Sequence, residues 1–71
     1  MNVQYSKHAK DQMQDRSIND SEVKECLASW DIRCTDKKGN TIYKARLRSG
    51  KGIKVVIAKD DSNFIITVAD Y

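Results

Sequence analysis

The fold is decided by the segment TIYKARLRSGKGIKVVIAK, residues 41–59. Apolar and charged residues alternate along residues 41–48, and a second apolar run starts at Ile53. Alternation with a period of two is typical of a strand with one buried face, and the glycine-containing stretch between the two runs is typical of a turn. The segment therefore predicts an antiparallel hairpin. One face of its first strand carries Tyr43, Ala45 and Leu47, and the other face carries Lys44, Arg46 and Arg48.

Further strands are expected on both sides of this hairpin. Ile32 and Cys34 alternate with polar residues before it, and an apolar run from Phe64 to Ala69 follows the turn at residues 60–63. Because short turns join all these runs, the sequence predicts an antiparallel meander of four strands. The face expected to pack on helices carries Tyr43, Ala45, Leu47, Ile53, Val55, Ile57, Phe64, Ile66 and Val68. The residues from Asn2 to Tyr5 fit either a short strand or an extended lead-in.

Two helices are predicted before the strands. Ser6 can cap a helix from Lys7 to about Arg16. Asn19 can cap a second helix, and Glu22, three residues later, completes a capping box. The apolar residues that follow at helical spacing, and that we expect to be buried, are Val23, Cys26, Leu27 and Trp30. The second helix is expected to end near Ser29. The predicted fold is thus α+β, a single domain over residues 1–71, with both helices on one face of the four-stranded sheet.

Positive charge is concentrated on the strands. Residues 1–32 contain four Lys/Arg and six Asp/Glu, a net charge of −2, whereas residues 33–71 contain nine and four, a net charge of +5. Nothing in the sequence covers the sheet face that would carry Lys44, Arg46, Arg48 and Lys54. This face could therefore bind a polyanion such as RNA. The alternative is a solvated sheet face whose lysines keep the protein soluble.

The composition argues against several classes of protein and site. No apolar run approaches the roughly 20 residues of a membrane span, and the first residues lack the pattern of a secretory signal, so we expect a cytoplasmic protein. One histidine and two cysteines, Cys26 and Cys34, do not supply the four ligands of a zinc site. Both cysteines are expected to be reduced thiols, buried as small apolar side chains, and the alternative is a disulfide or a redox role. The chain has no glycine-rich phosphate loop, and its only glutamates, Glu22 and Glu25, lie on the second predicted helix, which does not support the carboxylate cluster of a metal-dependent nuclease. We therefore expect neither a metal nor a cofactor.

The residues best suited to chemistry lie on the first predicted helix. His8 is the only histidine of the chain, and a helical wheel places it within about 100° of Gln12, Asp15 and Arg16, at the border of the apolar stripe. His8 and Arg16 are two turns apart, about 12 Å along the helix axis. A histidine can transfer protons and an arginine can bind phosphate. The alternatives are a histidine that packs at the helix start and an arginine favoured by the helix carboxyl end.

The amino-terminal pattern resembles a known family of small bacterial proteins, labelled domain of unknown function 4258. The residues that carry the resemblance are Tyr5-Ser6-x-His8-Ala9, Met13, Arg16, Ile18 and Glu22-Val23. Three later segments also fit, namely Lys38-Gly39-Asn40, residues 52–56 and residues 65–68. The family is similar in predicted build to the RelE and BrnT type toxins, which cleave RNA without a metal and use the ribose 2′-hydroxyl as the nucleophile. Its usual pattern places an arginine four residues after the histidine, where this chain has Gln12.

Two functions are therefore expected from the sequence. The resemblance implies a metal-independent ribonuclease in which His8 and Arg16 are catalytic, with a small antitoxin-like protein as its partner. On chemical grounds we add RNA-binding residues, which are Lys44, Arg46, Arg48 and Tyr71. The alternative is a non-catalytic interaction module that binds a protein through the open sheet face or an edge strand. Gln12 favours the second function, whereas His8 and Arg16 favour the first.

Overall fold

The computed structural model describes residues 3–71, which form two helices and a five-stranded sheet. In chain order the elements are β1 (Gln4–Tyr5), α1 (Lys7–Asp15), α2 (Asp20–Ala28), β2 (Ile32–Thr35), β3 (Thr41–Arg46), β4 (Gly52–Ile57) and β5 (Phe64–Asp70). The α+β class is therefore confirmed, as is the order of two helices before the meander. Neither helix in these residues is long and apolar enough to cross a membrane.

The sheet corrects the prediction of four antiparallel strands. Its strand order is β1-β5-β4-β3-β2, and β2 to β5 do form the predicted antiparallel meander. The short β1 adds a fifth strand, which pairs with β5 in parallel and makes the sheet mixed. Two residues are too few for side-chain alternation to reveal a strand, so the sequence left this segment open. Asn2, where that prediction started, lies outside the described residues.

Side-chain caps fix the start of each helix. The Ser6 Oγ accepts the Ala9 N–H at 3.0 Å at the start of α1. At the start of α2, the Asn19 Oδ1 accepts the Glu22 N–H at 2.8 Å and the Glu22 Oε1 accepts the Asn19 N–H at 3.0 Å, which confirms the capping box. Because α2 ends at Ala28, Trp30 lies beyond the helix and is exposed, and its predicted burial is wrong.

Both helices bury their apolar sides against one face of the sheet. The buried cluster consists of Ala9, Ile18, Val23, Cys26, Ala45, Leu47, Ile53, Val55, Ile57, Ile65 and Val68. It joins residues from both helices to residues from β3, β4 and β5. The other face of the sheet therefore has no helix on it among residues 3–71.

A register shift changes which side chains of β5 enter this core. Val56 pairs with Thr67, but the next residue of β4, Ile57, pairs with Ile65, so Ile66 is an extra residue in β5. Such a bulge reverses the alternation of faces on one side of it. Ile65 is consequently fully buried, whereas Phe64 and Ile66 are only partly buried. The prediction that Phe64 and Ile66 fill the core is wrong for this reason.

Candidate functional site

The open face of the sheet combines an apolar floor with lysines. Lys44 pairs with Lys54, so both side chains lie on the same face, as predicted. In the next row, Ile42 pairs with Val56, and Val56 is only 7% exposed although no helix covers it. The lysine pair therefore borders a packed apolar surface rather than a fully solvated one.

A hollow of about 490 Å³ lies on this face beside the β2–β3 turn. It is lined by Asp36, Lys37, Lys38, Asn40, Ile42, Lys54, Val56, Ile66 and Thr67. The Asp36 carboxylate accepts N–H groups of Lys38 and Asn40, so it holds the turn together. None of the three lysines has a carboxylate within 4.0 Å among residues 3–71. The hollow is therefore cationic.

Two of these lysines, Lys37 and Lys38, were not predicted as site residues. The sequence places them in a turn, where charged residues are ordinary. The turn folds back beside β4 and thereby brings them to the same hollow as Lys54. Two consecutive cations next to a basic strand were the signal that could have indicated them.

Tyr71 joins the same open face at its other end. The Lys44 Nζ lies 5.3 Å from the centre of the Tyr71 ring, within the range of a cation–π contact. The Tyr71 N–H donates to the carbonyl of Gly52, whose strand partner is Arg46. The structure thus brings together three of the four predicted RNA-binding residues. The fourth, Arg48, lies after β3, and its backbone N–H donates to Glu25 on α2 at 3.0 Å.

The predicted catalytic residues lie along the edge of β5. Because β1 ends at Tyr5, the edge of β5 beyond Ile65 has no strand neighbour in the described residues, and α1 lies there instead. The Gln12 Oε1 accepts the N–H of Val68 at 3.0 Å. His8 and Arg16 are one turn before and one turn after Gln12, and we call these three residues the α1 ridge.

The two ends of the α1 ridge differ in their contacts. His8 is exposed, and its ring has no hydrogen-bond partner among residues 3–71. The Arg16 Nε lies 3.7 Å from the Asp70 Oδ2, and both side chains are partly solvated. Such a weak surface pair leaves the guanidinium able to exchange its carboxylate for a phosphate.

Gln12 has a structural role that an arginine could not fill in the same way. Its amide oxygen accepts a backbone N–H that no strand pairs with, and a guanidinium has no acceptor. Gln12 therefore contributes to the docking of α1 on β5.

The predicted residues form two groups on opposite sides of the sheet. Asp70, which contacts Arg16, pairs with the buried Ile53, so the α1 ridge lies on the helix side. Tyr71, the next residue, contacts Lys44 on the open side. Consecutive residues at the carboxyl end of β5 thus contact the two groups. Among the described residues, no group of three or more His, Cys, Asp or Glu could hold a metal ion.

The two cysteines differ in their surroundings. Cys26 is buried, and its burial, with the nearby Asp31 and Glu25 carboxylates, raises the pKa of its thiol to about 11. Cys34 is exposed on β2, so the prediction that both thiols are buried is wrong for Cys34.

This difference predicts selective alkylation. At pH 8 a thiol with a pKa of about 11 is roughly one part in a thousand thiolate, and burial also blocks access to Cys26. We expect iodoacetamide to add one label per native chain, on Cys34, as measured by mass spectrometry of peptides. Cys34→Ser should remove that label. Equal labelling of both cysteines in the folded protein would contradict the burial of Cys26.

Comparison with known proteins agrees with the resemblance to domain of unknown function 4258. A family model described as "Domain of unknown function (DUF4258)" matches residues 5–70, from β1 to the end of β5. No curated protein and no solved structure matches the chain. Since the family match extends over nearly all of the residues that build the two helices and the sheet, the chain belongs to the DUF4258 family.

Proposed function

We propose that this protein is a metal-independent ribonuclease of the RelE and BrnT toxin type, which binds single-stranded RNA on its open sheet face. The observation that carries the proposal is the uncovered apolar floor between cations that lack carboxylate partners. These cations are Lys37, Lys38, Lys44 and Lys54. Lysines along a groove attract the phosphates of a single strand, and its bases stack on an aromatic side chain such as Tyr71, which is 48% exposed.

The bound strand would reach the α1 ridge by passing around the carboxyl end of β5. There Tyr71 faces the open side, and its neighbour Asp70 holds Arg16 on the helix side. Arg16 would release Asp70 and bind the scissile phosphate, because a guanidinium forms two hydrogen bonds to a phosphate.

The chemistry assigned to the α1 ridge needs one proton acceptor and one cation. The His8 imidazole takes the proton of a ribose 2′-hydroxyl, and the 2′-oxygen attacks the adjacent phosphorus. The bond to the 5′-oxygen breaks, and that oxygen takes a proton from water. Arg16 stabilises the charge that develops on the phosphate oxygens. The products are a 2′,3′-cyclic phosphate and a 5′-hydroxyl. A protein with this activity would need a small antitoxin-like partner to inhibit it.

The second candidate is a non-catalytic interaction module. The specific observation in its favour is the role of Gln12, which docks α1 and leaves the ridge one cation short of the family's pattern. An RNA-binding assay distinguishes the two candidates. The interaction module would bind a protein, and not RNA, through the open sheet face or an edge strand.

The binding face is tested by replacing its central lysines. The double variant Lys44→Gln/Lys54→Gln removes two phosphate contacts, so the slope of log affinity against log salt should become shallower by about 1.4. We expect single-stranded RNA to bind more weakly in fluorescence anisotropy at every salt concentration. The matched control is Lys7→Gln/Lys10→Gln, which removes the same charge from exposed positions of α1. If the two variants lose the same RNA affinity, the attraction is non-specific, and a binding site on the open face is contradicted.

A further inference from the structure

The sheet has a second open edge, at β2. Among residues 3–71 no strand pairs with the outer side of Ile32–Thr35, and all four residues are exposed. The Asp36 N–H donates to the carbonyl of Asn40, so in the alternating antiparallel pattern Cys34 and Ile32 also bond inward to β3. Arg33 and Thr35 consequently direct their N–H and C=O groups outward. The edge therefore offers two donors and two acceptors to an added strand.

An aromatic cluster adjoins this edge. Trp30 is 46% exposed beside this edge, and Ile32, on the open face of β2, is 42% exposed. The Trp30 and Tyr43 rings are 6.0 Å apart between centres, and the Arg33 Nε donates to the Tyr43 hydroxyl at 3.3 Å. Trp, Tyr and Arg are the residues that contribute most binding energy at protein interfaces. Their side chains are held in place here before any partner binds.

The charge of the edge identifies the chemistry of its partner. Arg33, Lys37 and Lys38 lie on or directly after β2, and none has a carboxylate within 4.0 Å among the described residues. The two aspartates of the segment are engaged elsewhere. The Asp31 Oδ2 accepts the Arg46 N–H at 2.8 Å, and Asp36 holds the turn. Both aspartates keep their negative charge, so residues 31–38 have three cations and two carboxylates, a net charge of +1.

We propose that the outer edge of β2 binds an extended acidic segment of another protein as a sixth strand. Main-chain hydrogen bonds to Arg33 and Thr35 hold the segment, and its carboxylates face the cations of β2 and the following turn. A second copy of this chain is disfavoured, because it would bring identical cations together across the new pair. The proposal does not depend on RNA cleavage.

The test uses a fluorescein-labelled hexapeptide of alternating glutamate and valine, with a lysine–valine peptide as its charge-reversed control. We expect the acidic peptide to bind, and amide hydrogen exchange by NMR to slow at Arg33 and Thr35 but not across the open face. Arg33→Glu should weaken binding about tenfold or more, whereas Lys10→Glu on α1 should not.

A second variant separates loss of binding from loss of folding. Thr35→Pro removes an outward N–H and leaves the bonds between β2 and β3 intact, so it should weaken binding with little change in the melting temperature. Absence of binding at millimolar peptide, or chemical-shift changes at Lys54 and Val56 with no change in exchange at β2, would overturn the proposal. Protection of Arg33 that grows with protein concentration alone would assign the edge to a second copy.

Discussion

The variant His8→Ala is expected to cleave single-stranded RNA about 10²–10⁴-fold more slowly than the native protein, since this is the usual contribution of a positioned general base. The His8 ring is exposed and has no hydrogen-bond partner among residues 3–71, so its removal should not affect folding. The measurement is a single-turnover cleavage assay with saturating protein and a metal chelator. Circular dichroism of the variant checks that the fold is retained.

Two further variants make the His8 result specific. Arg16→Ala should also slow cleavage strongly, because the phosphate loses its cation. Lys10→Ala changes an exposed cation of the same helix that lies outside the α1 ridge, and it should cleave at nearly the native rate. If His8→Ala cleaves as fast as Lys10→Ala, His8 is not the base and the assignment of the α1 ridge is wrong.

The variant Ile65→Ala is expected to lower the free energy of unfolding by about 2–5 kcal/mol, the usual range for truncating a buried isoleucine. Ile65 is fully buried in the shared core of helices and sheet. Such a loss is a large part of the stability of a small domain. Urea unfolding followed by circular dichroism gives the value.

Ile66→Ala is the matched control for this prediction. Ile66 is the neighbouring residue with the same side chain, but the bulge turns it to the partly exposed face beside the hollow. Its truncation should cost about 1 kcal/mol, because less apolar area is lost from the interior. The register shift between β4 and β5 would be contradicted if the two variants lost the same free energy of unfolding, or if Ile66→Ala lost more.

Local signals made much of the fold predictable. The capping box of Asn19 and Glu22 involves residues three apart, and the alternation along residues 41–46 is a property of one strand. The features that escaped prediction depend on residues far apart in the chain. The bulge at Ile66 is defined only against β4, and β1 is recognisable only through its pairing with β5. Trp30 was misplaced because helical spacing continued past the end of α2.

In the candidate site, too, local features were predictable and contacts between distant parts of the chain were not. Lys44 and Lys54 could be placed on one face because their strands are joined by a short turn. The contribution of Lys37 and Lys38 to the hollow depends on how the β2–β3 turn folds back beside β4. The Gln12 contact joins residues 56 positions apart, so no sequence pattern could reveal that this side chain accepts the N–H of Val68.

The activity that we propose for this protein is RNA cleavage by attack of the 2′-hydroxyl without a metal ion. The most direct measurement incubates purified native protein with a labelled single-stranded RNA and a chelator, and analyses the product ends by mass spectrometry. We predict products with 2′,3′-cyclic phosphate and 5′-hydroxyl ends, and no cut where a 2′-deoxynucleotide replaces the residue before the cut. RNA that stays intact, or cleavage that persists at the 2′-deoxy position, would contradict the claim.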